Sequence, residues 1–121
     1  MKITKLLTML IALISIFLIS CGGTNYDIFA QCLTEQGATF YGAYWCSHCE
    51  ELKSEFGDSM QYVNYVECSL PNRAGQTEIC TREEIIGYPT WKKVDGTEIP
   101  SPPAGSSWMQ QLSFHVGCPL P

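Results

Sequence analysis

Hydrophobic and polar positions follow three rhythms along the 121 residues. The first is an apolar run from Leu6 to Ile19, broken only by Thr8 and Ser15 and preceded by basic Lys2 and Lys5. Its 14 residues fall short of the roughly 20 that a spanning helix needs and fit the apolar core of an export signal. The second is a helical rhythm. It predicts a helix capped by Asn25 and running to about Gln36, with Tyr26, Phe29, Ala30 and Leu33 on one face and Gly37 as its stop. It recurs over Cys46 to Phe56, where Cys49, Leu52 and Phe56 share a face ahead of Gly57. Two more helices follow, from a Thr77 cap to Ile86 ahead of Gly87, and from a Ser106 cap through Trp108, Met109 and Leu112 to Gly117. The third rhythm is that of strands. Ala38 to Tyr41 reads as a short buried strand and Gln61 to Glu67 as an alternating one. Thr90 to Val94 and Thr97 to Ile99 flank Asp95-Gly96, a strong hairpin signal. The order α, β, α, β, α, β, β, α predicts an α/β domain over residues 25–121, with one mixed sheet covered by helices.

Composition narrows what such a domain can do. With 45% hydrophobic and 16% charged residues, the chain has too much apolar content for disorder. Beyond the leader, five basic residues face twelve acidic ones. No basic stripe is present to neutralise phosphates, so nucleic acid is excluded as a partner. Seven cysteines in so short a chain suggest disulfides where the compartment is oxidising, and the leader implies export. Leu18-Ile19-Ser20-Cys21 resembles a bacterial lipobox. That resemblance implies a signal peptide over residues 1–20, acylation of Cys21 and a short tether at 21–24, holding the domain at a membrane surface without spanning it. With Gly22 next, it implies the outer membrane if the host is Gram-negative. An uncleaved anchor is the alternative reading of the leader.

The chemistry concentrates at Trp45-Cys46-Ser47-His48-Cys49, at a strand-to-helix junction. A cysteine at a helix start meets unpaired N–H groups and the positive end of the dipole, which favour the reactive thiolate. His48 adds a donor or a positive charge nearby. Cys49, one turn on, can attack a mixed disulfide formed at Cys46. A static Cys46–Cys49 bond is the plainer reading. A zinc site would need a second CxxC or a pair of histidines at ligand spacing, whereas His48 and His115 are the only histidines.

The second informative stretch is Gly87-Tyr88-Pro89-Thr90-Trp91, where a proline enters a strand and a cis bond fits. Together with Trp45, Cys46 and Cys49 it makes the chain resemble the thioredoxin superfamily. In finer detail, Phe40 to Cys49, Asn64 to Cys68, Cys80 and Gly87 to Trp91 are similar to the thioredoxin-like domain fused to bacterial vitamin K epoxide reductase homologues. The likeness covers most of residues 25–118.

That resemblance implies a three-layer fold, a mixed central sheet flanked by helices, and a thiol–disulfide oxidoreductase needing neither a dissociable cofactor nor a metal. It implies Cys46 as nucleophile, Cys49 as resolving thiol, His48 as the group tuning the thiols, and Pro89 as the residue whose loop offers backbone hydrogen bonds to a peptide. Trp45 and Tyr88 flank that substrate site. The implied partners are exported cysteine-containing proteins and a membrane redox protein acting in trans. Two features depart from ordinary thioredoxins. Phe40 stands where they carry a buried Asp, and Ser47-His48 separates the cysteines; both point to oxidase or isomerase chemistry.

Cys32, Cys68, Cys80 and Cys118 allow three pairings. The resemblance implies a structural Cys68–Cys80 bond, in which case Cys32 and Cys118 tie the chain's two ends together. A relay of electrons from 68–80 to 46–49 is the sharper alternative. Glu50 and Glu51 read as a solvated helix face, with Glu50 able to tune the thiols. Trp91 and Trp108 read as core, and Tyr41 and Tyr44 as packing groups near a peptide groove. His115 reads as a helix-dipole partner. Two other functions remain open on the sequence: a soft Cu(I) site at Cys46, Cys49 and His48, and a redox-inert lipoprotein.

Overall fold

The computed structural model describes Ile3 and residues 23–121. The leader and Cys21 therefore lie outside the described residues. Four α-helices and four strands follow: α1 (Asp27–Glu35), β1 (Thr39–Gly42), α2 (Ser47–Phe56), β2 (Tyr65–Glu67), α3 (Glu78–Arg82), β3 (Thr90–Lys92), β4 (Glu98–Ile99) and α4 (Trp108–Val116). The sheet order is β2-β1-β3-β4. β1 pairs parallel with β2, and β3 pairs antiparallel with both β1 and β4. This is the mixed α/β arrangement of a thioredoxin-like fold.

Register sorts the side chains onto two faces, since neighbours along a strand point oppositely. Phe40 is opposite Tyr65 on one side and Trp91 on the other, and Trp91 is opposite Ile99. Phe40 and Trp91 stack with centroids 5.0 Å apart, and Phe56 packs on Trp91 at 6.2 Å. Phe29, Ala30 and Leu33 of α1, Leu52 of α2 and Met109 and Leu112 of α4 complete this main core. Tyr41 points to the other face, where it joins Cys68, Cys80 and Ile85 in a smaller cluster. The sheet is thus sandwiched between α1, α2 and α4 on one side and the short α3 on the other. Cys32 is bonded to Cys118 and Cys68 to Cys80.

Several elements differ from their sequence reading. Residues 61–64 are not strand. Gly57, at φ 56°, turns the chain into a 3₁₀ segment over Gly57–Tyr62. The Ser59 hydroxyl donates to Asp27 (2.6 Å) and the Thr34 hydroxyl to the Tyr62 carbonyl (2.7 Å), fastening this segment to α1. Met60, Tyr62 and Val63 pack on the core there, and that contact outweighs the alternating pattern. Helix α3 stops at Arg82 rather than Ile86. Glu84 takes a left-handed φ of 56° and the Cys80 carbonyl accepts from Ile85 N–H, which turns Ile85 inward and leaves Ile86 exposed. Thr77 is the N-cap residue of α3, as expected, but its side chain makes no capping bond, its hydroxyl reaching the Glu67 carbonyl instead. The cap of α4 is Ser107, one residue after the expected Ser106, in a reciprocal capping box with Gln110. Asn25 lies one position before the first cap residue, Tyr26, yet its Oδ1 still accepts from Asp27 N–H at 2.8 Å. The Asp95-Gly96 turn is present, between strands shorter than expected.

Candidate active site

Strand β1 ends at Gly42, and four residues later Cys46 becomes the N-cap of α2. Its extended backbone (φ −82°, ψ 113°) aims the side chain back over the first turn, where Sγ accepts from Cys49 N–H at 3.2 Å. The helix-start N–H thus faces sulfur, and a negative charge there is held by a charge-assisted bond. Both Cys46 and Cys49 are free thiols, and both are buried. Burial, the hydrogen bond with Cys46 and repulsion from that neighbouring sulfur push the Cys49 thiol up to about 12. The two sulfurs are therefore unequal, with Cys49 holding its proton.

Gly42 makes this packing possible. A Cβ there would lie 2.9 Å from Tyr65 Cε2 and 3.3 Å from Cys49 Sγ, so β1 passes beneath the Cys49 thiol only as bare backbone.

A second strut joins the cysteines to the proline loop. The Tyr88–Pro89 peptide is cis. The Trp45 ring meets Tyr88 edge-on at 5.8 Å, its Nε1 donates to Ser69 Oγ (2.8 Å), and the Arg73 guanidinium lies 5.1 Å from the ring centre. Tyr88 is fixed in turn, its hydroxyl accepting from Gln76 Nε2 at 2.8 Å. Trp45, Tyr88 and Pro89 thus come together beside the helix start. A groove of about 520 Å³ runs from His48, Glu51 and Glu55 across to Tyr88, Pro89 and Trp108.

His48 lies at the groove and pairs with a neighbour on its own helix. Its ring is exposed, and Nδ1 lies 3.1 Å from the Glu51 carboxylate. Among the described residues the hydrogen bond to Cys46 Sγ comes from the Cys49 backbone, not from the imidazole. Glu50 pairs with Lys53 at 3.0 Å. Tyr41 lies on the back face, away from the groove, and Trp108 is half-buried at the groove's edge. His115 in the last turn of α4 lies edge-on to Phe114.

Sequence reasoning passed over a polar array on the β2 side. Glu67 accepts from Tyr65 OH (2.7 Å), Ser69 N–H (2.8 Å) and Tyr44 N–H (3.2 Å), so one carboxylate fixes the loops after β1 and β2. Burial and Glu67 raise the Tyr65 phenol above its usual range, which keeps it the donor. Lys53 Nζ sits 4.2 Å from the Tyr65 ring centre. The parallel register that joins these residues leaves no local mark in the sequence. Among the described residues, no group of three or more His, Cys, Asp or Glu is disposed to hold a metal, and no helix is long and apolar enough to cross a membrane.

No family model matches the chain. It is similar to the thiol-disulfide oxidoreductase LTO1 of Arabidopsis thaliana, being 42% identical over 78 residues, or 60% of this chain and 21% of the relative. The chain thus spans about a fifth of the length of the curated relative it matches. This similarity relates the chain to a thiol–disulfide oxidoreductase.

Proposed function

We propose that this protein exchanges disulfides with cysteine-containing proteins through Cys46 and Cys49. The observation that carries this reading is the pair of free thiols at the start of α2, one capping the helix and the other held protonated, beside the cis-Pro89 loop. In the reducing direction, the Cys46 thiolate attacks a substrate disulfide. One substrate sulfur leaves and the other is bonded to Cys46. Cys49 then attacks Cys46 Sγ, closing the 46–49 bond, and its proton goes overall to the departing substrate sulfur. In the oxidising direction, a substrate thiolate attacks the 46–49 bond and the same steps run backwards. The extended edge of the Pro89 loop and the adjoining groove would hold the substrate segment.

The direction favoured here is oxidase or isomerase, on Phe40 and Ser47-His48. Phe40 is buried against Trp91 and Tyr65, so no carboxylate occupies its position in the core. The domain would work outside the cytoplasm, tethered through an acylated Cys21, and be recycled by a membrane redox partner in trans of the vitamin K epoxide reductase kind. Support for this setting comes from the leader, the lipobox-like residues and the two cystines, which suit an oxidising compartment.

The deciding measurement is the equilibrium reduction potential of 46–49 in glutathione buffers, read by alkylation and mass. The expected value lies between the roughly −120 mV of strong oxidants and the roughly −180 mV of isomerases. A value near the roughly −270 mV of thioredoxin would reverse the direction. Thiols that never exchange with glutathione would sink the enzyme reading. For the tether, Cys21→Ala should release the protein from membranes when the full chain is expressed in a bacterium; unchanged membrane association would remove it.

A further inference from the structure

Resolution of a mixed disulfide requires Cys49 to give up its proton inside the core, where no carboxylate touches it. We propose that Lys53 is the positioning residue for that step, a cation held over the β2 side of Cys49 to stabilise its thiolate as the 46–49 bond forms. This inference rests on the exchange reading above.

Three contacts carry it. Lys53 is one helical turn beyond Cys49 on α2, the spacing that sets two side chains side by side. Its ammonium is fixed rather than free, held 3.0 Å from Glu50 and 4.2 Å from the centre of the Tyr65 ring. That ring and the resolving sulfur border the same space above Gly42, where a Cβ would lie 2.9 Å from Tyr65 Cε2 and 3.3 Å from Cys49 Sγ. Tyr65 is itself clamped by Glu67, whose carboxylate is anchored to two backbone N–H groups. The ammonium therefore has a built seat on a ring that borders the same space as the buried sulfur.

The charges facing Cys49 can be named by element. From α2 and its cap come Cys46, Glu50 and Lys53; from β2 come Tyr65 and its partner Glu67; β1 and the residue after it offer only the uncharged Phe40, Gly42 and Ala43. Burial and Cys46 raise the Cys49 thiol, while a backbone hydrogen bond at Ala43 and, to a smaller extent, the charge of Lys53 lower it. Once Cys46 is engaged in a mixed disulfide its repulsion ends, and the cation remains the favourable charge. The step balances simply: the substrate–Cys46 bond breaks, the Cys46–Cys49 bond forms, and the Cys49 proton ends on the released substrate sulfur.

The test compares Lys53→Gln and Lys53→Arg with the parent. Its first readout needs no activity. In a Cys46→Ser background, the Cys49 titration followed by ¹³Cβ NMR should move up by about one pH unit in Lys53→Gln, a tenfold loss of thiolate at a given pH. Lys53→Arg should restore it. The second readout is the decay of a mixed disulfide preformed on Cys46, which should slow by a similar factor in Lys53→Gln with its pH profile displaced upward. The first attack by Cys46, measured in a Cys49→Ser background, should change less than about twofold, because the positioned charge faces the other sulfur. An unmoved Cys49 titration would overturn the proposal even if exchange is established. A moved titration in a protein that forms no mixed disulfide would sustain the electrostatic role and sink the exchange reading instead.

Discussion

Two pairs of cysteines in this molecule are equally hidden from solvent and differ in almost everything else. Cys46 and Cys49 are 8% and 0% exposed, Cys68 and Cys80 both 0%. Burial therefore does not distinguish a free thiol from a bonded one. Backbone does. Cys46 ends a loop as the cap of a ten-residue helix, and the donor at its sulfur is a helix-start N–H. Cys68 follows a strand end, where its own N–H is spent on the Gly42 carbonyl. Cys80 lies inside the five-residue α3, packed against Tyr41 and Ile85. A thiolate released at 68 or 80 would meet apolar neighbours rather than a row of N–H groups. The relay that the sequence left open finds no such support on the back face.

The sharpest way to break the comparison is to remove one cysteine from the front pair and the whole bond at the back. Cys46→Ser should abolish exchange with a disulfide-bonded peptide, by at least about a thousandfold, since the proposed nucleophile is removed. The double change Cys68→Ala/Cys80→Ala should keep the exchange rate within a few-fold at a temperature where the protein stays folded. Comparable losses of rate in both would return 68–80 to the reaction.

The same contrast predicts where stability is held. The 32–118 bond spans a sequence separation of 86 residues and the 68–80 bond one of 12. On chain-entropy grounds the former contributes roughly 4.5 kcal/mol and the latter roughly 3 kcal/mol. Urea unfolding of Cys32→Ala/Cys118→Ala should therefore show the larger loss, with Cys68→Ala/Cys80→Ala behind it. An inverted order would mean that the small back cluster, and not closure of the chain ends, is the critical restraint.

How much of this could be read from the residues alone follows a physical line. What is local was legible: Gly57 and Gly117 as helix stops, Asp95-Gly96 as the hairpin, Cys46 at a helix start, and Cys49, Leu52 and Phe56 as its buried face. The errors arise where a distant contact outvotes a local pattern. Tyr62 and Asn64 alternate as in a strand, yet bonds from Ser59 and Thr34 wind and hold that stretch against α1. Glu84 gives no hint of its left-handed backbone, which serves only to bury Ile85. The site divides in the same way. Its cysteines and proline were visible because they form motifs, whereas Lys53, Tyr65 and Glu67 are united by β1–β2 register. His48 was assigned to the thiols by nearness in sequence, and its pairing with Glu51 one turn on was not foreseen.

The smallest expected effect concerns the inequality within the front pair. Cys49 titrates at about 12 in the folded protein against an ordinary 9.0. A thiol raised by folding favours the folded state fully below the unfolded value and loses that contribution as pH rises towards the folded one. Between about pH 9 and pH 12, the unfolded chain has released this proton and the native one retains it, so stability must fall with pH. Tyr41 and Tyr65, also raised, act in the same alkaline region. The comparison that isolates Cys49 is therefore Cys46→Ser against Cys46→Ser/Cys49→Ser, with the tyrosines common to both. In urea titrations at stepped pH, the single variant should lose stability faster above pH 9 than the double. Parallel curves would mean that Cys49 feels no more of the interior when folded than when unfolded, and the ordering of the two sulfurs would then have to come from Cys46 alone.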